Sequence, residues 1–222
     1  MREERNFSRN CNDMKIKKNI RRLLLYRLCL VKFKEMGFNK VYSYNLGHEA
    51  GVSAEQIRKD FSQFGITGNK KGGYDLEYLL ERLNSIFQRN EEQKVIIVGM
   101  GNMGKALSHY ECGFTEKKKY VIAGFDVDPM KIKMTYNIPV YPLADLPDFV
   151  KENGVKIAIL AVPAISAQEV CSKLVAVGIK GLMNFSPVIL QVPEDVIVNN
   201  VNLCDELECV MHMALPDEGS ND

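Results

Sequence analysis

A short apolar run, Val95-Ile96-Ile97-Val98, leads directly into Gly99-Met100-Gly101-Asn102-Met103-Gly104, and a second apolar segment over 120–125 ends on Asp126. That order of strand, glycines, helix and acid is the pattern of a dinucleotide-binding βαβ unit. The first glycine permits the tight turn, the second lets the backbone approach a pyrophosphate, and the third lets the helix pack close to its strand. Met100, Asn102 and Met103 fall inside the same loop and join the glycines as candidate cofactor contacts. Asp126 lies 22 residues past the last glycine, where a carboxylate accepts hydrogen bonds from ribose hydroxyls. No arginine follows it at once to receive a 2′-phosphate, so the pattern favours NAD(H) over NADP(H).

About ninety residues of different character precede this motif. Residues 1–89 carry 18 Lys and Arg against 10 Asp and Glu, whereas residues 90–222 carry 11 against 18. A basic first part beside an acidic second part points to a polyanionic partner for the first alone. The six cysteines form no CxxC pair and stand near no histidine cluster, which argues against zinc and for reduced thiols filling cores. Without a signal peptide or an apolar run of membrane-spanning length, the expected location is the cytoplasm and no membrane contact is expected.

Within the basic part, residues 1–15 read as a loose basic arm, and apolar residues from Ile16 to Met36 recur at helical spacing until Gly37. Ser43 as the cap of a short helix through Ala50, a turn at Gly51-Val52, and a capping-box pattern Ser53-Ala54-Glu55-Gln56 opening a helix to Phe64 make a helix-turn-helix. In that motif the second helix enters the major groove, which makes Ser53, Ala54, Gln56, Arg58 and Lys59 candidate DNA contacts, with Ile57, Phe61 and Phe64 turned to the core. The glycine-rich stretch 65–74 reads as a hairpin wing whose Lys70 and Lys71 lie along phosphates. Asp75 then caps a packing helix, and Asn90-Glu91-Glu92-Gln93 reads as the linker between domains.

After Asp126 the pattern alternates strand and helix: strands over 157–162, 179–183 and 196–201, and a helix from Ser166 to Val177 ended by Gly178. This order implies a parallel sheet with ligands at the carboxyl ends of its strands, where Val162, Pro163 and Phe185 stand. The last helix, 203–215, is apolar on more than one stripe, which suits burial in a second subunit. The three histidines (His48, His109, His212) assemble no nucleophile, base and orienting residue, and no second domain follows to hold a substrate, so the chain is read as a non-enzyme. A small NAD-dependent oxidoreductase with an appended basic domain and a CoA- or nucleotide-binding regulator are the alternative readings.

The combination resembles the Rex family of bacterial redox-sensing transcriptional repressors. The resemblance runs from about Arg21 to Met213 and is carried by the segments 57–65 (IRKDFSQFG), 98–104 (VGMGNMG), 125–129 (FDVDP), 161–164 (AVPA) and 181–187 (GLMNFSP). It implies an α/β chain: an N-terminal winged helix-turn-helix (16–89), a Rossmann-type parallel sheet domain binding NAD(H) (90–202), and a C-terminal domain-swapped dimerisation helix and tail (203–222). It further implies a homodimer that binds palindromic operator DNA, takes NADH and NAD⁺ as effectors, and releases DNA when NADH binds. Tyr110 matches a tyrosine near the nicotinamide that takes part in the family's switch. Asn202 stands where many members have aspartate, Leu28 replaces an expected arginine with Arg27 adjacent, and Lys71 replaces a usual glycine; these departures point to an altered redox response.

Overall fold

A computed structural model describes residues 2–68, 72–87, 93–109, 120–134 and 136–215, with side chains described from residue 18 onward. The chain folds as two compact units, residues 1–91 and residues 92–222. The first contains α1 (Arg2–Glu35), β1 (Lys40–Val41), α2 (Ser43–Ala50), α3 (Ala54–Gln63), β2 (Tyr74–Asp75) and α4 (Leu76–Phe87). α1 begins at Arg2, so the backbone is helical where the sequence suggests a loose arm up to residue 15. No glycine or proline occurs in residues 2–35, and once a helix is nucleated each further residue adds a hydrogen bond. Polarity alone does not break it.

α1 ends in a Schellman motif: Gly37 takes φ 82°, its N–H donates to the Lys34 carbonyl at 2.9 Å, and the Phe38 N–H donates to the Phe33 carbonyl at 3.0 Å. The Phe33 and Phe38 rings meet 5.7 Å apart across that turn. Leu23, Tyr26 and Leu30 of α1, Leu46 of α2, Ile57 and Phe61 of α3, and Leu76, Leu79 and Leu83 of α4 close one buried core. Phe61 is its centre, with Tyr26 and Tyr74 set edge-on at 5.8 and 5.2 Å.

Residues 69–71, the tip of the expected hairpin wing, lie outside the described residues. β2 pairs antiparallel with β1, Lys40 opposite Asp75 and Val41 opposite Tyr74, so its partner lies upstream of α2. The Ile66 N–H instead closes the end of α3 on the Phe61 carbonyl at 2.8 Å, and its side chain is buried in the core. Lys70 and Lys71 lie outside the described residues.

The second unit alternates β3 (Val95–Val98), α5 (Asn102–Ser108), β4 (Val121–Asp126), α6 (Pro129–Lys133), β5 (Val140–Pro142), α7 (Leu146–Asn153), β6 (Ile157–Leu160), α8 (Ala164–Ala176), β7 (Gly181–Asn184), β8 (Ile197–Asn200) and α9 (Leu203–Ala214). All six strands are parallel in the order β5-β4-β3-β6-β7-β8. This is the doubly wound Rossmann order, in which successive strands are added outward from β3 on one side and then from β6 on the other. β5 escapes the sequence pattern because its three residues are too few to show a period and end in Pro142, which an edge strand tolerates. Side-chain alternation serves both faces: Ile96, Val98, Phe125, Ala158 and Leu160 meet α7 and α8, while Ile97, Val121 and Ile159 pack on the other side.

α9 buries none of its residues, and Leu203, Leu207, Val210, Met211 and Met213 are exposed. Cys204 and Cys209 are exposed on it as well, so core-filling describes Cys29 and Cys171 but not these two. Both exposed thiols belong to a helix that its own unit leaves uncovered.

α2 and α3 are joined by a turn in which a Cβ at Gly47 would lie 2.6 Å from the Val52 carbonyl oxygen. Elsewhere in a helix, Gly→Ala gains about 1 kcal/mol. Here the obstacle is backbone, so Gly47→Ala should instead lower stability by about 1–3 kcal/mol in urea unfolding. A gain in stability would show that the two helices do not pack as closely as described.

Candidate functional site

β3 delivers the chain to Gly99, whose N–H donates to the Phe125 carbonyl at 2.8 Å and whose φ of 97° suits glycine. A Cβ on Gly99 would lie 2.4 Å from the Ala161 carbonyl oxygen, and one on Gly104 would lie 1.9 Å from the Gly99 carbonyl oxygen. A Cβ on Gly101 would meet nothing within 4 Å among the described residues beyond its chain neighbours and its own helix. Two glycines thus permit contact between backbones, and the middle one leaves a surface open to a ligand.

That surface belongs to a cavity of about 540 Å³ lined by Gly99, Gly101, Asn102, Met103, Asp126, Val162 and Pro163, together with Asp128 and Lys131. Its position beside β3 and β6 is the switch point where doubly wound sheets bind ligands. Of the other predicted cofactor residues, Gly104 sits beneath the loop. Met100 is buried, packed under Gly124, where a Cβ would meet its Sδ at 2.5 Å. Phe185 packs on the core beside Ile97 and is not among the lining residues, and Tyr110 lies outside the described residues.

Asp126 is only 5% exposed. Its carboxylate accepts from the Met100 N–H at 2.7 Å, the Asp128 N–H at 2.9 Å and the Lys131 ammonium at 3.3 Å. Burial pushes this carboxyl up, but those three donors outweigh it and hold its pKa below the usual range. An ionised carboxylate has about four lone-pair positions. With three in use, Asp126 staples the glycine loop and keeps about one position for a ribose hydroxyl.

Lys131 is a site residue that sequence reading passed over. Asp128 caps α6 by accepting from the Met130 N–H, which sets Lys131 one turn on, facing Asp126; the D-x-D-P-x-K spacing carries that signal. The far wall is also tied by hydrogen bonds. Ser186 Oγ donates to the Val162 carbonyl at 2.7 Å, and Asn184 Oδ1 accepts from the Ser186 N–H at 2.9 Å.

In the first unit, Ser53 caps α3 by accepting from the Gln56 N–H at 3.1 Å. The reciprocal half of the capping box is missing, because the Gln56 amide donates to Asp60 Oδ1 at 2.7 Å. Asp60, also fully buried, accepts from Arg22 Nη2 and Nε and from the Tyr26 hydroxyl, each at 2.7 Å. Burial pushes its carboxyl up and these donors more than offset it, leaving the pKa lowered. Arg58 and Lys59 are exposed and Ala54 is half-buried; Arg58 Nη1 also donates to Ser43 Oγ at 3.0 Å.

The positions set apart by the resemblance are occupied as follows. Arg27 stacks its guanidinium over the Phe87 ring at 4.9 Å. Leu28 is half exposed. Asn202 caps α9, accepting from the Cys204 N–H at 3.1 Å and donating to Asp205 Oδ1 at 2.6 Å. Among the described residues no group of histidine, cysteine or carboxylate side chains could hold a metal, and no helix is long and apolar enough to cross a membrane.

Residues 17–62 match a family model described as "Putative DNA-binding protein N-terminus", and residues 90–188 match one described as "CoA binding domain". The redox-sensing transcriptional repressor Rex of Listeria monocytogenes is 37% identical over 193 residues, which is 86% of this chain and 89% of that one. Among solved structures, RSP, a Rex-family repressor, in complex with β-NAD⁺ and operator DNA aligns with TM-score 0.82 at 33% identity, covering 89% of this chain and 91% of that one. Its complex with β-NADH aligns with TM-score 0.78, covering 89% and 92%.

Two substitutions separate loop packing from ligand approach. Gly101→Ala should leave the thermal midpoint nearly unchanged yet weaken dinucleotide binding more than tenfold by calorimetry, whereas Gly104→Ala should lower both. Equal loss of stability in the two would contradict the assignment of roles. In the first unit, Asp60→Asn leaves Arg22 without its anion and should cost about 3 kcal/mol at pH 7. Because the folded-state pKa of Asp60 is lowered, its stabilisation is present above the usual carboxylate range and lost below it. The gap between wild type and Asp60→Asn in urea unfolding should therefore shrink from pH 7 to pH 3.

Proposed function

The chain belongs to the Rex family of redox-sensing transcriptional repressors, and from that premise we propose that it binds operator DNA through α3 and reads the NADH to NAD⁺ balance at the β3–β6 crevice. The observation that carries this reading is the pairing of an open glycine loop, with Gly101 bare toward the cavity, with whole-length relatives that are DNA-binding repressors. NADH binding releases operator DNA. The dinucleotide is a signal rather than a co-reactant.

Ser53, Ala54, Gln56, Arg58 and Lys59, with Lys70 and Lys71 of the wing, are the proposed DNA contacts. Arg58 and Lys59 are free to meet base edges or phosphates, the former while braced by Ser43. Gly99, Met100, Gly101, Asn102, Met103, Gly104, Asp126, Val162, Pro163, Phe185 and Tyr110 are the proposed dinucleotide residues, Met100 through its loop backbone and Gly104 through packing. The uncovered apolar residues of α9 support a homodimer in which that helix is buried by the second subunit. Two subunits present two recognition helices, which suits a palindromic operator. A repressor of this kind works in the cytoplasm.

An effector can shift DNA affinity only as far as it binds the two states of the protein differently. Asn202 offers hydrogen bonds but no charge, and charge-assisted contacts are roughly twice as strong as neutral ones. We therefore propose a smaller NADH response than in relatives with aspartate there. The name of the second family model favours testing coenzyme A beside NAD(H).

Fluorescence anisotropy on an operator duplex tests the reading. NADH should release the DNA, NAD⁺ should leave it bound, and coenzyme A should have no effect; Asn202→Asp should increase the NADH effect. Arg58→Ala should weaken operator binding by about 1–3 kcal/mol. Absence of operator binding in every ligand state would reject the repressor function.

A further inference from the structure

Asp60 and Arg22 impose hydrogen-bond directions on their neighbours. An ionised carboxylate only accepts, and a guanidinium only donates. Asp60 has its acceptor positions filled by four bonds: two from Arg22, one from Tyr26 and one from Gln56. Gln56 must therefore meet it with one of its two Nε2 hydrogens, which turns Oε1 away; among the described residues no donor meets that oxygen. The same rule runs the other way along α3. Arg22 Nη2 donates to Asn19 Oδ1 at 2.7 Å, so Asn19 presents Nδ2, which donates to Gln63 Oε1 at 3.0 Å. Gln63 is left with its donor, Nε2, facing away. Gln56, Lys59 and Gln63 stand at i, i+3 and i+7, one stripe of α3, and Lys59 and Gln63 on that stripe are exposed.

We propose that the buried Asp60–Arg22 pair fixes the hydrogen-bond polarity of the recognition helix: Gln56 presents an acceptor that reads an exocyclic amino group on a base edge, and Gln63 presents a donor to a phosphate oxygen. In the major groove only adenine N6 and cytosine N4 offer such an amino donor. A free glutamine can flip to suit other edges; this one is held. Guanine O6 and thymine O4 would face Oε1 acceptor to acceptor. Gln63, carrying no charge and touching no base, adds affinity without sequence preference. The proposal rests on α3 being the DNA-reading helix.

Selection of duplexes from a random pool by the full-length protein tests it. The wild type should restrict one position per half-site to adenine or cytosine on a given strand, and Gln56→Met should open that position to all four bases while keeping the rest of the motif. In a selected duplex, replacing that base with its amine-free analogue, purine for adenine or 2-pyrimidinone for cytosine, should weaken wild-type binding about tenfold and Gln56→Met less than twofold. Gln63→Met should weaken binding to every selected duplex by a similar factor with an unchanged motif. An unchanged motif for Gln56→Met, or equal wild-type binding to the amine-free duplex, overturns the proposal alone. Failure of the wild type to enrich any sequence overturns it together with the repressor function. Thermal unfolding of both variants, which leave Asp60 and Arg22 in place, separates loss of reading from loss of fold.

Discussion

Backbone meets backbone at the carboxyl end of β3, and the cavity of the second unit is arranged around that approach. The carbonyl of Gly99 lies where a Gly104 side chain would be, and the carbonyl of Ala161 lies where a Gly99 side chain would be. Such proximity is available only to glycine, and it brings the start of α5 against the sheet. Asp126 completes the construction from the neighbouring strand by accepting the Met100 N–H. The loop is thus set before any ligand arrives, and a dinucleotide entering there loses little affinity to ordering it.

The first unit solves a comparable problem with charge. α3 has an apolar face, through Ile57 and Phe61, that fixes its depth in the core. Packing alone leaves rotation and polar orientation less well determined. A buried carboxylate with four donors is costly to leave and costly to disturb, so the Asp60 cluster sets how α3 is presented. α9 is capped by Asn202, but its apolar residues Leu203, Leu207, Val210, Met211 and Met213 are exposed.

The fold was legible where residues repeat a period or meet a backbone requirement. The glycine motif, the five longer strands, α2, α3 and the caps at Ser53 and Asp75 follow from patterns local enough to read. What escaped depends on partners distant in sequence. β5 is short and closed by proline, and the pairing of β2 with β1 across α2 and α3 has no local mark. Gln56 has the spacing from Ser53 of half a capping box; the competing acceptor is Asp60, which is ionised and held in place by Arg22 and Tyr26 of another helix. Lys131 was missed for a related reason, since its role depends on the Asp128 cap turning it toward Asp126. The helical start of α1 shows that composition predicts solvation more readily than it predicts backbone conformation.

The glycines that suggest a dehydrogenase when read alone are proposed instead to hold an effector whose binding and operator binding affect one another. Coupling between two ligands is reciprocal by thermodynamic necessity. The most direct test is therefore calorimetric titration of NADH into the free protein and into the protein–operator complex. The account predicts that operator weakens NADH binding by the same factor by which NADH weakens operator binding. Equal NADH affinity in the two titrations would contradict it.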